Sequence, residues 1–399
     1  MPDVVIVGGG IIGVACALEL VGRGASVTLL EREELAAGAS GRNQGWFVHP
    51  SDPACAPMSA VSLERYLELI DASPVPVRFD TEPIGHLVFT RNASAAPMVE
   101  EQVRAWVATG ARAEALDASE LRAVEPALTR DVAAAWLIGQ GRRIDPAALT
   151  VAHALRAREI GAEIRRHTGA RAFTSVGDRV TGVVTDEGVI AAGTVVLAAG
   201  PWSAPLVRPL GVDLPVIGSR GWIVELAGKP GLLHHLLLED DAPIEPASSG
   251  TNEGAGEALP TAGGFLRDGN RPPVVDTLLH SAPDGTVVCG SSHHPALGDG
   301  PDDEGATRRI LQRSIAAVPA LSDAAVRSIR WGVRPMSPDG RPLVGWLRKG
   351  LFAATGHGAE GVLLGGGTGA LAAALLTDDE PPFDPGPFDP ARFADATAG

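Results

Sequence analysis

The four residues Val4-Val5-Ile6-Val7 run directly into Gly8-Gly9-Gly10-Ile11-Ile12-Gly13, and this junction constrains the chain more than any other feature. A β-branched apolar run of that length predicts a buried strand. The pattern Ile12, Ala15, Leu18, Leu20, Val21 behind it predicts a helix that Gly22 and Gly24 end, and Ser26 to Leu30 predicts a second strand closing on Glu31. Glycines at 8, 10 and 13 fit the G-x-G-x-x-G turn, which lets backbone amides and a helix N-terminus approach a pyrophosphate. Glu31 stands 18 residues past Gly13, where a carboxylate can accept from ribose hydroxyls. Strand, turn, helix, strand and acid together predict a dinucleotide site. They do not separate one dinucleotide from another.

Further along, helices are expected over Ser62 to Ile70, Met98 to Ala108, Ala147 to Glu159 (capped by Asp145-Pro146) and Thr307 to Val318. Strands are expected over Gly85 to Phe89, Glu163 to Arg165, Arg179 to Thr185, Gly188 to Leu197 and Leu351 to Ala354. Pro215 to Leu226, Pro273 to His280 and Thr286 to Gly290 predict a second, sheet-rich region. Glu245 to Pro272, rich in Gly, Ala, Ser and Pro, is expected to be a long surface loop. The Pro-Phe-Asp-Pro repeats at 382 and 387 suggest an extended strap on the surface.

With 399 residues and 45% hydrophobic content the chain can build two domains. A formal net charge of -15 argues against nucleic acid or an anionic membrane surface as partner. Cys16, Cys55 and Cys289 are too few and too scattered for a disulfide framework or a cysteine-rich zinc site, and no metal constellation is evident. Leu351 to Leu376 is apolar but carries His357 and Glu360, so a membrane span is not expected, and the cytoplasm is the expected location.

Two more glycine-rich loops carry polar chemistry. Ser40-Gly41-Arg42-Asn43-Gln44-Gly45 follows the second strand, and Gly356-His357-Gly358-Ala359-Glu360-Gly361 precedes an apolar helix. With Val195 to Ser203 (Val-Val-Leu-Ala-Ala-Gly-Pro-Trp-Ser), Trp331-Gly332-Val333-Arg334-Pro335, Ser337-Pro338-Asp339-Gly340 and the closing Asp389-Pro390-Ala391-Arg392-Phe393, the order resembles the D-amino-acid oxidase superfamily of FAD-dependent oxidoreductases. Within it the chain looks most like the branch of glycine oxidase, sarcosine oxidase and the small subunit of D-amino-acid dehydrogenase. The resemblance implies an α/β fold: a Rossmann-like FAD-binding domain (1–78, 141–213 and 326–399) interleaved with a sheet-rich α+β substrate domain (79–140 and 214–325).

The same resemblance implies a site. Gly8, Gly10, Ile11, Ile12, Gly13 and Glu31 would hold the ADP half of FAD, with Arg32 beside them and Ala170 bonding adenine through its backbone. Ser40, Arg42, Asn43, Gln44 and Gly45 would line the diphosphate and the isoalloxazine. Ala199, Gly200 and Trp202 would flank the cofactor, and Gly358, Ala359, Glu360, Gly361 and Val362 would cover its pyrimidine side. Arg334 would pair with the substrate carboxylate, which its planar fork suits, and Trp46 would lie over the flavin. His280, His293 and His294 are the candidate bases near it.

The implied reaction oxidises the C–N bond of an amine or amino acid (a D-amino acid, glycine or an N-methyl amino acid) by hydride transfer to flavin N5, giving an imine. Gly332 stands about where sarcosine oxidases carry a flavin-linking cysteine, so FAD is expected to be non-covalent. Only Lys229 and Lys349 are lysines, which leaves oxygen or another electron acceptor open. Tyr66 is the only tyrosine, so tyrosine-based substrate clamps are missing. Two other readings remain at this point: a dehydrogenase of 2-hydroxy acids or larger natural-product amines, and a non-catalytic FAD-binding module. The oligomeric state is open, a homo-oligomer included.

Overall fold

The computed structural model describes residues 1–73, 75–240, 274–295 and 304–397. The expected loop at Glu245 to Pro272 lies outside them.

A six-stranded sheet carries the glycine turn. Its order is Leu343–Arg348, Leu351–Thr355, Thr194–Leu197, Val4–Val7, Val27–Leu30, Glu163–Arg165, all parallel except the first, which pairs antiparallel with the second. Val4–Val7 is buried on both faces, as an apolar run without alternation requires. Val4 and Ile6 join one core with the helices Ile11–Gly22, Ala56–Ala72, Pro146–Glu159 and Gly361–Thr377; Val5 and Val7 join another on the opposite face. Asp145 caps its helix by accepting from the Ala148 amide at 3.0 Å.

The second region is an eight-stranded sheet in the order Val326–Met336, Ile217–Ala227, Thr286–Pro295, Val274–Ser281, Leu236–Glu239, His86–Thr90, Ala134–Ile138, Ala113–Ala115. The helix Glu304–Ala317 covers one face through Ala306 and Ile310, and Ala96–Ala108 packs its Val99, Val103 and Trp106 against Val88 and Ile138. Val326–Met336 pairs along its length with Ile217–Ala227, so this strand belongs to the larger sheet.

Two local expectations are corrected. Gly188 to Leu197 is not one strand. Gly188–Ala191 pairs antiparallel with Arg179–Thr185, whereas Thr194–Leu197 lies in the parallel sheet beside Val4–Val7. The chain changes sheets at Ala192-Gly193, where a Cβ on Gly193 would stand 2.9 Å from the Asp3 carbonyl oxygen. The proline-rich tail is not an extended strap either. It folds into 3-10 turns that bury Phe388 in the core, and Arg392 clamps it to Asp339 at 2.8 Å.

Candidate active site

The expected cofactor residues converge at one end of the parallel sheet, beyond the carboxyl ends of its central strands, where open α/β sheets bind ligands. Gly8 has φ +118°, and a Cβ there would stand 2.3 Å from the Ala198 carbonyl oxygen. On Gly13 a Cβ would stand 1.9 Å from the Gly8 carbonyl oxygen, so the turn closes only with glycine at both positions. Gly10 is the N-cap of Ile11–Gly22 and offers no side chain. The Ile11 amide donates to Ser40 Oγ at 2.9 Å. The amides of Gly10, Ile12 and Gly13 have no acceptor among the described residues, leaving three donors at a helix N-terminus for an anion. Such a set of donors could take a diphosphate, as FAD carries.

Glu31 ends its strand as expected, and its carboxylate already works within the protein. One oxygen accepts from the Gly9 amide at 2.7 Å and the other from the Glu33 amide at 2.8 Å. Each oxygen keeps capacity for a further donor. Arg32 stacks on Trp202, its guanidinium carbon 3.9 Å from the ring centroid. Gly169, just before Ala170, lies against Arg32, where its Cβ would meet Arg32 Cβ at 3.2 Å. Ala199 sits beside Gly8, its Cα 3.2 Å from where a Cβ on Gly8 would stand, and the next residue, Gly200, takes φ +55°. Arg32 thus links Trp202 to the segment ahead of Ala170, while Ala199 closes on the glycine turn.

The Ser40–Gly45 segment joins the two sheets. Asn43 Nδ2 donates to the carbonyls of Ala39 and Ser40, and its Oδ1 accepts from the Gly45 amide at 2.8 Å. Arg42 donates to the Ala37 carbonyl at 2.7 Å and the Trp331 carbonyl at 3.3 Å, and Gln44 to the Leu278 carbonyl at 3.3 Å. The larger sheet receives this segment on a face stripped of side chains. A Cβ on Gly290 would meet Gln44 Nε2 at 2.7 Å, and one on Gly332 would meet Arg42 Cβ at 3.0 Å. Arg330, two residues before Gly332 on the same face, donates to the Asn43 carbonyl at 3.0 Å and pairs with Glu225. The sequence reading did not single out Arg330, although the alternation Arg330, Gly332, Arg334 would have placed it.

Arg334 projects over Gly221, where a Cβ would stand 2.2 Å from Nη1. Its guanidinium donates to the Ser292 carbonyl at 2.9 Å and to Ser291 Oγ at 3.0 Å. Both acceptors are neutral, and Arg334 forms no ion pair among the described residues. Burial pulls its pKa below the ordinary value, with the Asp276 charge opposing. A cation so held, with unused donors, is built to receive an anion.

The late glycine turn docks beside it. The Gly358 amide donates to the Pro335 carbonyl at 2.8 Å, and His357 bridges to Met336. Ala359 is exposed, Gly361 opens the last helix, and the Val362 carbonyl accepts from Tyr66 at 2.7 Å. Glu360 accepts from the Ser51 amide at 2.7 Å, and burial raises its pKa.

Trp46 donates its indole N–H to His280 Nδ1 at 2.9 Å and lies edge-on to both His280 and His86. Burial, then the charges of Arg143 and Arg330, depress the His280 pKa to about 3. Its lone pair is taken by Trp46, so His280 is fitted to hold Trp46 in place and not to collect a proton at neutral pH. His293 instead meets Asp276 at 2.8 Å.

The remaining chemistry lies elsewhere. Lys349 pairs with Asp178 on the surface. Tyr66 is fully buried between helices. The three cysteines are buried and free, with burial pushing the Cys16 and Cys289 thiols up to about 12 and Cys55 higher still. Among the described residues no cluster of metal ligands occurs and no helix is long and apolar enough to cross a membrane.

The double-wound sheet, its amide cradle and the second sheet facing it define a dinucleotide-dependent oxidoreductase. The family model for FAD dependent oxidoreductases matches residues 3–375, and the chain belongs to that family. It is 28% identical to glycine oxidase of Pseudomonas aeruginosa over 97% of this chain and 98% of that one. It is 26% identical to D-amino acid dehydrogenase of Bradyrhizobium diazoefficiens, over 98% of this chain and 99% of its relative. Among solved structures, glycine oxidase of Geobacillus kaustophilus superposes with a TM-score of 0.83 at 24% identity, covering 98% of both chains. The chain is thus an FAD-dependent enzyme, and the non-catalytic reading falls away.

Proposed function

We propose that this enzyme oxidises the C–N bond of an amino acid or related amine carrying a carboxylate, of the D-amino acid, glycine or N-methyl type. The observation that carries this reading is the half-buried Arg334 guanidinium, held by two neutral acceptors and without an ion-pair partner among the described residues. The substrate's carboxylate would complete it, setting the α-carbon between the larger sheet and the Ser40–Gly45 segment. FAD, when bound, supplies the two-electron acceptor. The protein's part is placement. Gly221, Gly290 and Gly332 keep the sheet face low, Arg330 and Gln44 fix the cofactor segment to it, and Trp46 closes the side toward His280 and His86. The imine formed is then hydrolysed by water.

Gly8, Gly10, Ile11, Ile12, Gly13, Glu31, Arg32, Ala170, Ala199, Gly200 and Trp202 would hold the ADP half. Ser40, Arg42, Asn43, Gln44, Gly45 and Gly358 to Val362 would hold the flavin end, without a covalent link. The cofactor part would comprise the segments flanking the parallel sheet, and the substrate part 79–140 and 214–336, which keeps Val326–Met336 with its sheet.

The test is an anaerobic visible spectrum of the FAD-loaded protein with glycine, sarcosine, D- and L-amino acids and 2-hydroxy acids. Bleaching by one amine class that reverses in air identifies an oxidase, and recovery only with an artificial acceptor a dehydrogenase. Arg334→Ala is expected to retain FAD but lose about 10- to 100-fold in kcat/KM, as removal of a charge-assisted pair implies. A variant as active as the parent would sink the assignment.

A further inference from the structure

Resting on that reading of Arg334, we propose that Asp276, held by His293, is the subsite for the substrate's ammonium group. The site would then select ammonium carboxylates over hydroxy acids and plain carboxylates.

Asp276 lies on Val274–Ser281 at a register shift between Val275 and Leu278, so its partners, not alternation along the strand, tell which way it faces. Thr277 and Leu279 are buried toward the helix Glu304–Ala317, with Arg313 of that helix donating to Thr277 Oγ1 at 2.7 Å. His280 points the opposite way, to Trp46. Asp276 meets His293, and the side chain two residues before His293, Ser291, meets Arg334, which puts Asp276 on the Arg334 side of the sheet. His293 reaches Asp276 from the neighbouring strand at 2.8 Å, and the preceding residues of that strand, Ser291 and Ser292, are the ones that hold Arg334. Carboxylate anchor and carboxylate side chain are therefore fixed by the same three-residue stretch.

Arg334 and Asp276 sense each other's charge but form no ion pair. A cation and an anion not paired with each other, and held by neighbouring residues of one strand, match an ammonium carboxylate, its carboxylate toward Arg334 and its ammonium toward Asp276. Asp276 remains a carboxylate: burial pushes its pKa up, but His293, Arg334 and Arg313 together bring it below the ordinary value. A hydroxy acid offers that carboxylate a neutral donor, and a plain carboxylate offers nothing.

Oxidation needs the free amine, so the preference is best read with ligands that cannot react. FAD-loaded protein is titrated at neutral pH with acetate, with isobutyrate, and with 2-aminoisobutyrate, whose α-carbon has no hydrogen; the flavin absorbance change reports binding. Acetate probes Arg334 alone. The parent should bind 2-aminoisobutyrate at least about tenfold more tightly than isobutyrate, the worth of one charge-assisted hydrogen bond. Asp276→Asn, which keeps the shape and still accepts from His293, should abolish that ratio while leaving acetate binding intact. Equal affinities in the parent, or equal losses for both ligands in the variant, would overturn the proposal. If acetate and the others leave the spectrum unmoved and Arg334→Ala behaves as the parent, the Arg334 reading fails and takes this one with it. Should Asp276→Asn not retain FAD, the ratio measured on the parent decides.

Discussion

A single atom decides several positions in the site. Gly13 is the sharpest, because a Cβ there would stand 1.9 Å from the Gly8 carbonyl oxygen, closer than any backbone adjustment within the turn can absorb. Gly13→Ala is expected to yield colourless protein that takes up no FAD, read from the flavin band of the purified variant; a yellow variant with parental FAD content would show that the turn is not the cradle. Glu31 shows what residue-level reading of a sequence misses. Its place at the end of the second strand follows from the spacing, but its two bonds to the amides of Gly9 and Glu33 do not. The acid shapes the glycine turn as well as facing the cleft. His280 teaches the reverse. It is near the site as expected, yet its acceptor role toward Trp46 is visible only in three dimensions, because β-strand register sets which rings meet.

At the scale of elements, the helices behind the cradle are fixed by small residues. Gly366 and Gly367 of Gly361–Thr377 face Ala56–Ala72, Gly369 faces Ile11–Gly22, and Gly365 meets both, letting the two helices approach closely. A Cβ on Gly367 would meet the Met58 carbonyl oxygen at 2.2 Å, and the Gly367 amide donates to Ser62 Oγ at 2.8 Å. Tyr66 staples the same pair, donating to the Val362 carbonyl and accepting from the Gly366 amide at 3.1 Å. Gly367→Ala should cost about 1–3 kcal/mol by overpacking, seen as a lower urea midpoint. An unchanged midpoint would mean that the helices have slack. Val4–Val7 was legible in the sequence as an unbroken β-branched run and Ile11–Gly22 by the helical spacing of its apolar residues. The break at Ala192-Gly193 was not, since two strands of the same composition can belong to different sheets. The short helix Ala118–Val124 escaped too, although Asp117 and Glu120 form a capping box that would have announced it. Most cofactor-side residues were legible as glycine-rich loops, whereas Asp276, Ser291 and Ser292 depend on strand pairing and carry no motif.

Across the whole molecule, four histidines are buried as neutral rings in both halves of the fold. Burial is the first cause in each case, depressing His86, His280 and His357 to about 3 and His153 to about 4, against an ordinary value of 6.5. His153 packs edge-on to Tyr66 and its Nδ1 meets the Leu149 carbonyl; His357 Nε2 meets Thr368 Oγ1 at 2.9 Å behind the late glycine turn. Because the folded values are depressed, the unfolded chain binds more protons between pH 6.5 and the folded values, so stability is present in full above pH 6.5 and falls as pH drops through that window. Each ring contributes up to about 1.4 kcal/mol per pH unit to the slope. Two of the four, His86 and His280, flank Trp46, and a third holds the turn beside Arg334, so acid should loosen the site and the cores together. The expected outcome is a Tm that is flat above about pH 7 and falls progressively toward pH 5, with FAD released in the same range as the protein unfolds. Differential scanning calorimetry with the flavin fluorescence followed in parallel checks it. In His153→Gln, which removes one proton-binding ring away from the cofactor cleft, the fall should be shallower; a Tm that does not change between pH 7 and 5 in the parent would show that these rings are not held neutral by burial.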